Sequence, residues 1–337
     1  MLIGLAAALS FGASTPFAQR LLERCDPQLL AALLYAGAAG VLLAAGPSRR
    51  RHEAPVRRSD LPTIALVVVS GGVIAPVLLL LGLQRITALS GSLLLNLESV
   101  LTAMLAIWFF GEHLSRRAVI AGVAIVLGAV LVGLTPGQLG ASPIGLLLVL
   151  GACAGWALDN NLTQRLTVRD PLSVVRIKVT AAAAVNIVIA LARGVPLPTL
   201  GVLATALALG AVSYGCSVVL DAYALRLLGA AREAAVFGVA PFAGALVAMA
   251  LGDPLTAGVV VAAAFMILGT GLLLTERHDH AHVHDVLEHD HRHAHDDHHQ
   301  HDHPDASGDE PHAHSHRHEL VVHAHTHSAD LHHRHPR

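Results

Sequence analysis

Glu98 stands inside the apolar run 88–110 of a 337-residue chain in which only 14% of residues are charged. A charge at the centre of a bilayer is costly, so a carboxyl kept there marks a proton, ion or substrate site. At about 100° per residue, Glu98, Thr102, Ser99, Ser92 and Asn96 fall on one arc of roughly 160°. Such an arc reads as facing a cavity rather than lipid. The chemistry expected of Glu98 is the binding of a proton or of a cationic group on a solute. The structural alternative is a neutral carboxyl that bonds a neighbouring helix. Weaker polar candidates are Asp159, Asn160 and Asn161 in one run, Asp221 in another, and Arg232 with Glu233 at the start of a third. Arg232 and Glu233 are adjacent, so on a helix they point about 100° apart. Either is placed to pair with Asp159 or Asp221 across a cavity. For Arg176 and Lys178, the latter the chain's single lysine, snorkelling to the interface is the expected behaviour.

A second chemistry sits at the C-terminus. Residues 278–337 hold 22 of the 24 histidines. Histidine recurs at alternate positions in His278, His280, His282, His284, then His289, His291, His293, His295. The pattern continues through His301, His303, then His312, His314, His316, His318, then His323, His325, His327, with His298 and His299 adjacent to one another. Alternation places imidazoles on one side of an extended chain. Neutral imidazole suits Zn, Ni, Co and Cu ions, so divalent metal bound to the tail is the one cofactor the sequence suggests, and none is required elsewhere. The tail has few apolar residues and is expected to be disordered. Its rival readings are a pH sensor, since near pH 6.5 about half the histidines carry charge, and low-complexity drift without a role.

Other chemistries lack their residues. Cys25, Cys153 and Cys216 form no Cys-x-x-Cys, and buried small residues are their default reading. The sequence has no Walker Gly-x-x-x-x-Gly-Lys, no His-Glu-x-x-His and no Gly-x-Ser-x-Gly, so no catalytic constellation supports an enzyme.

The elements that must position Glu98 are membrane helices. Hydrophobic residues are 54% of the chain, and charged ones fall well below the about 25% of soluble proteins. Residues 1–277 carry 18 Lys and Arg against 12 Asp and Glu, whereas 278–337 carry 4 against 12. No large basic surface exists for nucleic acid. A helix crossing about 30 Å of hydrocarbon needs roughly 20 apolar residues. Ten such runs lie near 1–19, 28–46, 63–83, 88–110, 115–134, 143–163, 171–192, 200–222, 228–250 and 254–275. The first lacks the positive n-region of a signal peptide. With the N-terminus inside, inside connections carry 11 arginines and outside ones 4, which puts both termini in the cytoplasm. Gly151-x-x-x-Gly155 and the ladder Gly122, Gly128, Gly133 read as helix packing.

Shifting the chain by 141 residues lays Gly111-Glu112-His113-Leu114-Ser115 on Gly252-Asp253-Pro254-Leu255-Thr256, Arg85 on Arg226, Gly4 on Gly145 and Gly128 on Gly269. Asp26-Pro27 and Asp170-Pro171 correspond with a three-residue slip. Five helices per half invert the second copy, a pattern of secondary transporters with a mid-bilayer site.

The first copy reads Leu97-Glu98-Ser99-Val100-Leu101-Thr102-Ala103 up to Phe110-Gly111-Glu112, and the second Ala240-Pro241-Phe242-Ala243 up to Leu251-Gly252-Asp253. This resembles the EamA branch of the drug/metabolite transporter superfamily over about residues 1–276. Ser99 departs from the proline common after the Glu of the first motif, and Asp253 from the usual Glu of the second. The resemblance implies an all-α polytopic membrane protein. Its ten helices would form inverted five-helix repeats at 1–137 and 138–276, followed by the disordered tail at 277–337. It implies small-solute transport by alternating access in the cytoplasmic membrane. The expected partners are the lipid bilayer, a small-molecule solute and protons, with a homodimer left open. A dedicated divalent-metal exporter and a non-transporting metal or pH sensor are the alternatives. Against the exporter, the ten runs contain no histidine, which is unusual for a Zn or Ni pathway.

Overall fold

Ten helices long and apolar enough to cross a bilayer form the body of the computed structural model. Residues 1–46, 54–110, 115–135, 143–166, 168–228, 230–275 and four tail segments are described. The spans are α1 Leu2–Leu21, α2 Pro27–Ala44, α3 Arg58–Leu83, α4 Ala88–Trp108, α5 Arg116–Leu134, α6 Pro143–Arg165, α7 Pro171–Ala192, α8 Leu200–Leu228, α9 Arg232–Ala250 and α10 Ala257–Leu274. Large apolar side chains line the outside. Leu134, Leu147, Leu200 and Leu246 are all more than 60% exposed, which only a hydrocarbon surround accommodates.

The breaks in the sequence act as caps. The Asp26 carboxylate accepts hydrogen bonds from the main-chain N–H groups of Gln28 and Leu29, and Asp170 accepts one from Leu172. Each aspartate is followed by a proline that begins its helix, where a missing N–H does no harm. The Ser115 and Thr256 hydroxyls, the last residues of the two repeated motifs, cap α5 and α10 through Ala118 and Val259. These side chains satisfy amides that the first helical turn leaves unbonded.

The fifth helices of the two halves pack antiparallel. A Cβ on Gly128 would meet the Ala262 carbonyl and Met266, and one on Gly269 would meet the Ala121 carbonyl and Ile125. Adding 141 to 121, 125 and 128 gives 262, 266 and 269, so the two contacts are the same contact seen from opposite sides. That reciprocity is the geometry of a two-fold axis lying across the helices. Gly111 to Leu114 of the first motif and residues 136–142, where the halves meet in sequence, lie outside the described residues.

Four helices depart from the uninterrupted form the runs suggest. In α3 and α8, the third helices of their halves, Val68–Ile74 and Ala211–Cys216 widen into π-helical turns. A π-turn leaves carbonyls outside the regular ladder. Those of α3 are taken up by side chains: Gly71 O accepts from the Tyr35 hydroxyl at 2.7 Å and the Trp156 indole at 3.1 Å, and Gly72 O from Asn186 Nδ2 at 3.0 Å. In α4 and α9, the fourth helices, regular turns stop at Leu95–Asn96 and at Gly238–Val239 and then resume. Broken helices at matched places in two halves are a known way of exposing polar backbone ends inside a membrane.

In the tail, β1 His278–His284 pairs antiparallel with β4 Val321–His327, and β2 Leu287–His293 with β3 His312–His318. The composition of the tail predicts no regular structure there. Strict alternation is compatible with extended pairing, but a two-stranded ladder without an apolar face is marginal in water. Their side chains, and all of His295, His298, His299, His301 and His303, lie outside the description.

Candidate functional site

The break in α4 decides where Glu98 points. Helical turns resume at Leu97, so Glu98 lies in the first turn of the second segment of α4, where a helix N-terminus favours negative charge. Its Oε1 accepts a hydrogen bond from Asn160 Nδ2 of α6 at 3.0 Å. A carboxyl of the first half is thereby joined to an amide of the second. Glu98 is buried and Asn160 half-buried.

The predicted arc around Glu98 does not survive as one face, because the helix that would carry it is interrupted. Asn96, fully buried, donates to the Leu93 carbonyl and accepts from the Thr270 hydroxyl of α10. Ser99 donates to the Ala234 carbonyl of α9 at 2.9 Å. These two close the break and bind neighbouring helices. Thr102 stays beside Glu98, one turn along. Its hydroxyl is buried without a hydrogen-bond partner, while its carbonyl accepts from Asn161 Nδ2 at 3.1 Å. The Oδ1 of Asn161 is likewise buried and unbonded.

Next to this pair lies an intramembrane ion pair. Asp159 of α6 accepts from Lys178 Nζ of α7, and the Thr163 hydroxyl donates to its other oxygen at 3.2 Å. Both partners are under 10% exposed. The snorkelling expected of Lys178 is therefore wrong. Seven residues into α7, its ammonium turns inward to a carboxylate that would otherwise be unpaired. Arg176 does reach the helix end, donating to the Leu42 and Gly46 carbonyls. The α3 π-turn meets the same aspartate, since a Cβ on Gly71 would overlap the Asp159 carboxylate.

Asp221 of α8 and Glu233 of α9 complete the group, their carboxyls facing one another. No donor bonds either oxygen of the fully buried Glu233. A carboxyl pair of this kind makes a hydrogen bond only when one member carries a proton. Arg232 is exposed, as the divergence of adjacent helical residues requires. The five ionisable groups Glu98, Asp159, Lys178, Asp221 and Glu233 act electrostatically on one another. Aromatic rings flank them. Phe11 packs against Trp156, Tyr214 and Phe237 at 5.5–5.6 Å between ring centroids, and Tyr35 against Tyr214 at 5.3 Å.

Toward the end where α3 runs into α4, a cleft of about 790 Å³ opens among Gln19, Arg20, Glu23, Arg85, Leu251 and Asp253. Ala88 at its wall begins the helix whose second segment carries Glu98, ten residues on. Among the described residues no three His, Cys, Asp or Glu side chains converge as a metal site.

The sequence names Asn161 among its candidates but gives Lys178 the wrong role and hides the ring cluster. A lone lysine one helix away from an intramembrane aspartate was the available signal for Lys178. Nothing in the spacing of Phe11, Tyr35, Trp156, Tyr214 and Phe237 announces that they meet.

Comparison with known proteins places the chain in a family. The model of the EamA-like transporter family matches residues 1–134 and again 143–275. An uncharacterized transporter of Methanothermobacter thermautotrophicus (strain Delta H) is 32% identical over 230 residues, about two thirds of each protein at 66% of the length. A solved crystal structure shares the fold with a TM-score of 0.63 at 20% identity, over 80% of this chain and 94% of that one.

Proposed function

Because the chain belongs to the EamA-like transporter family, we propose that it is a secondary transporter that moves a small solute across the cytoplasmic membrane by alternating access, coupled to protons through Glu98. The observation that carries this reading is the Glu98–Asn160 hydrogen bond between the two halves, inside a cluster of buried polar side chains. A group shared by both halves is where a solute or proton would be exchanged as they rock. The matched π-turns in α3 and α8 and the matched breaks in α4 and α9 supply soft points for such rocking, since π-turns frequently sit at functional sites. Both termini face the cytoplasm in this reading.

The test is flux into proteoliposomes under an imposed pH gradient. The full chain accumulates its solute, and Glu98→Gln, which keeps the hydrogen-bonding shape but cannot release a proton, loses the gradient dependence. Flux of the variant that is equal to wild type at every pH removes Glu98 from coupling.

The tail is proposed as an appended module that binds Zn, Ni, Co or Cu ions and regulates or buffers. Its support is the alternating histidine pattern. Deleting 278–337 is expected to leave solute flux intact while abolishing response to added metal. Loss of flux on deletion overturns the regulatory role.

A further inference from the structure

We propose that Arg85 and Arg226 are alternating latches. In this structure Arg226 fastens one end of the bundle, and in the alternate state Arg85 fastens the other by seating on the link between α1 and α2. The inference rests on the carrier reading above and names residues that gate it.

The first observation is an asymmetry between equivalent residues. Arg85 at the end of α3 and Arg226 at the end of α8 correspond in the two halves. So do the α1–α2 and α6–α7 links, in which Cys25 and Arg169 precede the capping Asp26 and Asp170. Arg226 is half-buried and donates to the main-chain carbonyl of Arg169, so it is bound to its link. Arg85 is exposed and instead donates to the Leu81 carbonyl of its own helix at 2.6 Å. Two halves built alike hold one arginine across to the link and the other folded back.

The second observation is space. The cleft of about 790 Å³ lies where the counterpart bond would form, with Arg85 on one wall and Leu22 and Glu23 of the α1–α2 link on another. At the opposite end the α6–α7 link is also held by the first half. Arg169 Nε donates to Asp60 Oδ2 at 2.9 Å, with side chains 11% and 14% exposed, and the Asp170 N–H donates to the Ala54 carbonyl at 2.9 Å. One end is fastened and the other stands open.

The parts that must move are small. Gln19 Nε2 donates to the Leu83 and Ile86 carbonyls, both at 2.7 Å, which keeps the end of α1 beside the end of α3. Beyond that pivot only the link Leu22–Asp26 and the Arg85 side chain have to close on each other. A guanidinium is always charged and offers several donors. The Cys25 carbonyl accepts from it as the Arg169 carbonyl does from Arg226, and Glu23, two residues earlier, adds an acceptor of opposite charge. Inverted copies can exchange conformations as a carrier rocks. When they do, Arg85 leaves Leu81 and shuts the cleft, while Arg226 releases the Arg169 carbonyl and the Asp60–Arg169 pair parts.

The test is the reactivity of a thiol placed in the cleft. Leu251→Cys, at the cleft wall, is made in the full chain carrying Cys25→Ser, Cys153→Ser and Cys216→Ser, and is labelled with a charged maleimide in detergent with EDTA present. Arg226→Ala loosens the fastened end, shifts the population toward the shut cleft and should slow labelling at least threefold. Arg85→Ala should not slow it. Arg226→Ala combined with Arg85→Ala lacks both latches and should label within twofold of the parent. Damage to a merely structural role would accumulate in the double variant rather than cancel. Where Arg226→Ala does not elute as a single species, Asp60→Asn, which frees Arg169 at the same end, takes its place with the same slowing and the same reversal by Arg85→Ala. Labelling of Arg226→Ala as fast as the parent, or a double variant as slow as Arg226→Ala alone, overturns the inference. The carrier reading fails separately. Slowing and its reversal without solute flux in proteoliposomes support the latches and count against transport, while flux with labelling unchanged in every variant supports the carrier and overturns the latches.

Discussion

The Asp253 carboxylate accepts a hydrogen bond at 2.8 Å from the main-chain N–H of Leu89, 164 residues earlier. An acid in the repeated motif of the second half thus holds the first turn of α4, the helix that carries Glu98. Thr87 caps the same turn through the Ser90 N–H at 3.1 Å, so two of the amides a helix start leaves open are met. Gly252, at φ 108°, makes the turn that aims Asp253, a conformation open to glycine and strained for other residues. Removing the cap with Asp253→Ala should cost about 1–2 kcal/mol and lower the melting temperature in detergent, whereas Asp253→Asn, which keeps an acceptor, should lose less. Equal melting of Asp253→Ala and wild type would show that the contact carries no stability.

The ion pair between Asp159 and Lys178 predicts strong coupling. Lys178→Met leaves a buried carboxylate without its partner and should cost about 3–5 kcal/mol. Lys178→Met combined with Asp159→Leu should recover most of that loss, because both charges are then gone. A double-mutant cycle by thermal denaturation measures the difference, and strict additivity of the two single changes would mean that the pair does not interact.

Reciprocal packing of α5 on α10 makes a symmetric prediction. Gly128→Val and Gly269→Val each push a side chain into a backbone carbonyl of the opposite helix and should destabilise by similar amounts, about 1–3 kcal/mol apiece. Gly271, with open space around its Cα, should accept alanine with no change in melting. Large damage at one glycine and none at the other would contradict the two-fold relation.

Cys25 lies in the connection between α1 and α2, where burial, and secondarily the neighbouring Asp26 carboxylate, push its thiol up to about 11. Since the thiolate is the reactive form, maleimide labelling of Cys25 should be slow at pH 7 and 8 and should rise only as pH approaches 11. Asp26→Asn should shift that rise to slightly lower pH. Rapid labelling at pH 7 would show the thiol to be free of this environment.

How much of this was legible in the sequence follows from what local patterns encode. Apolar runs and their Asp-Pro and Gly-acid breaks mark ten spans, because desolvation and capping act over a few residues. The Ser115 and Thr256 caps are readable for the same reason. The 141-residue shift even anticipates that Gly128 and Gly269 are equivalent. By contrast, Ala88–Trp108 reads as one uninterrupted helix, and nothing in Leu95 or Asn96 announces a stop. The interruption depends on Thr270 and Ala234, far away in sequence, which bond Asn96 and Ser99. The π-turns are hidden similarly, since the side chains that take up Gly71 O and Gly72 O come from α2, α6 and α7. Lys178 reads as a snorkelling residue because its partner is one helix away. Local chemistry locates the elements; the buried polar cluster is a product of their packing.

The account stands on two halves that open the buried polar cluster to alternate sides, and paired spin-label distances address this most directly. One label pair lies at the cleft end on exposed Glu23 of the first half and Leu255 of the second, and another at the opposite end on exposed Leu61 and Leu227. In lipid under opposed pH gradients, the account predicts two populations for each pair, with the Glu23–Leu255 distance shortening as Leu61–Leu227 lengthens. A single, gradient-independent distance at both ends would contradict it.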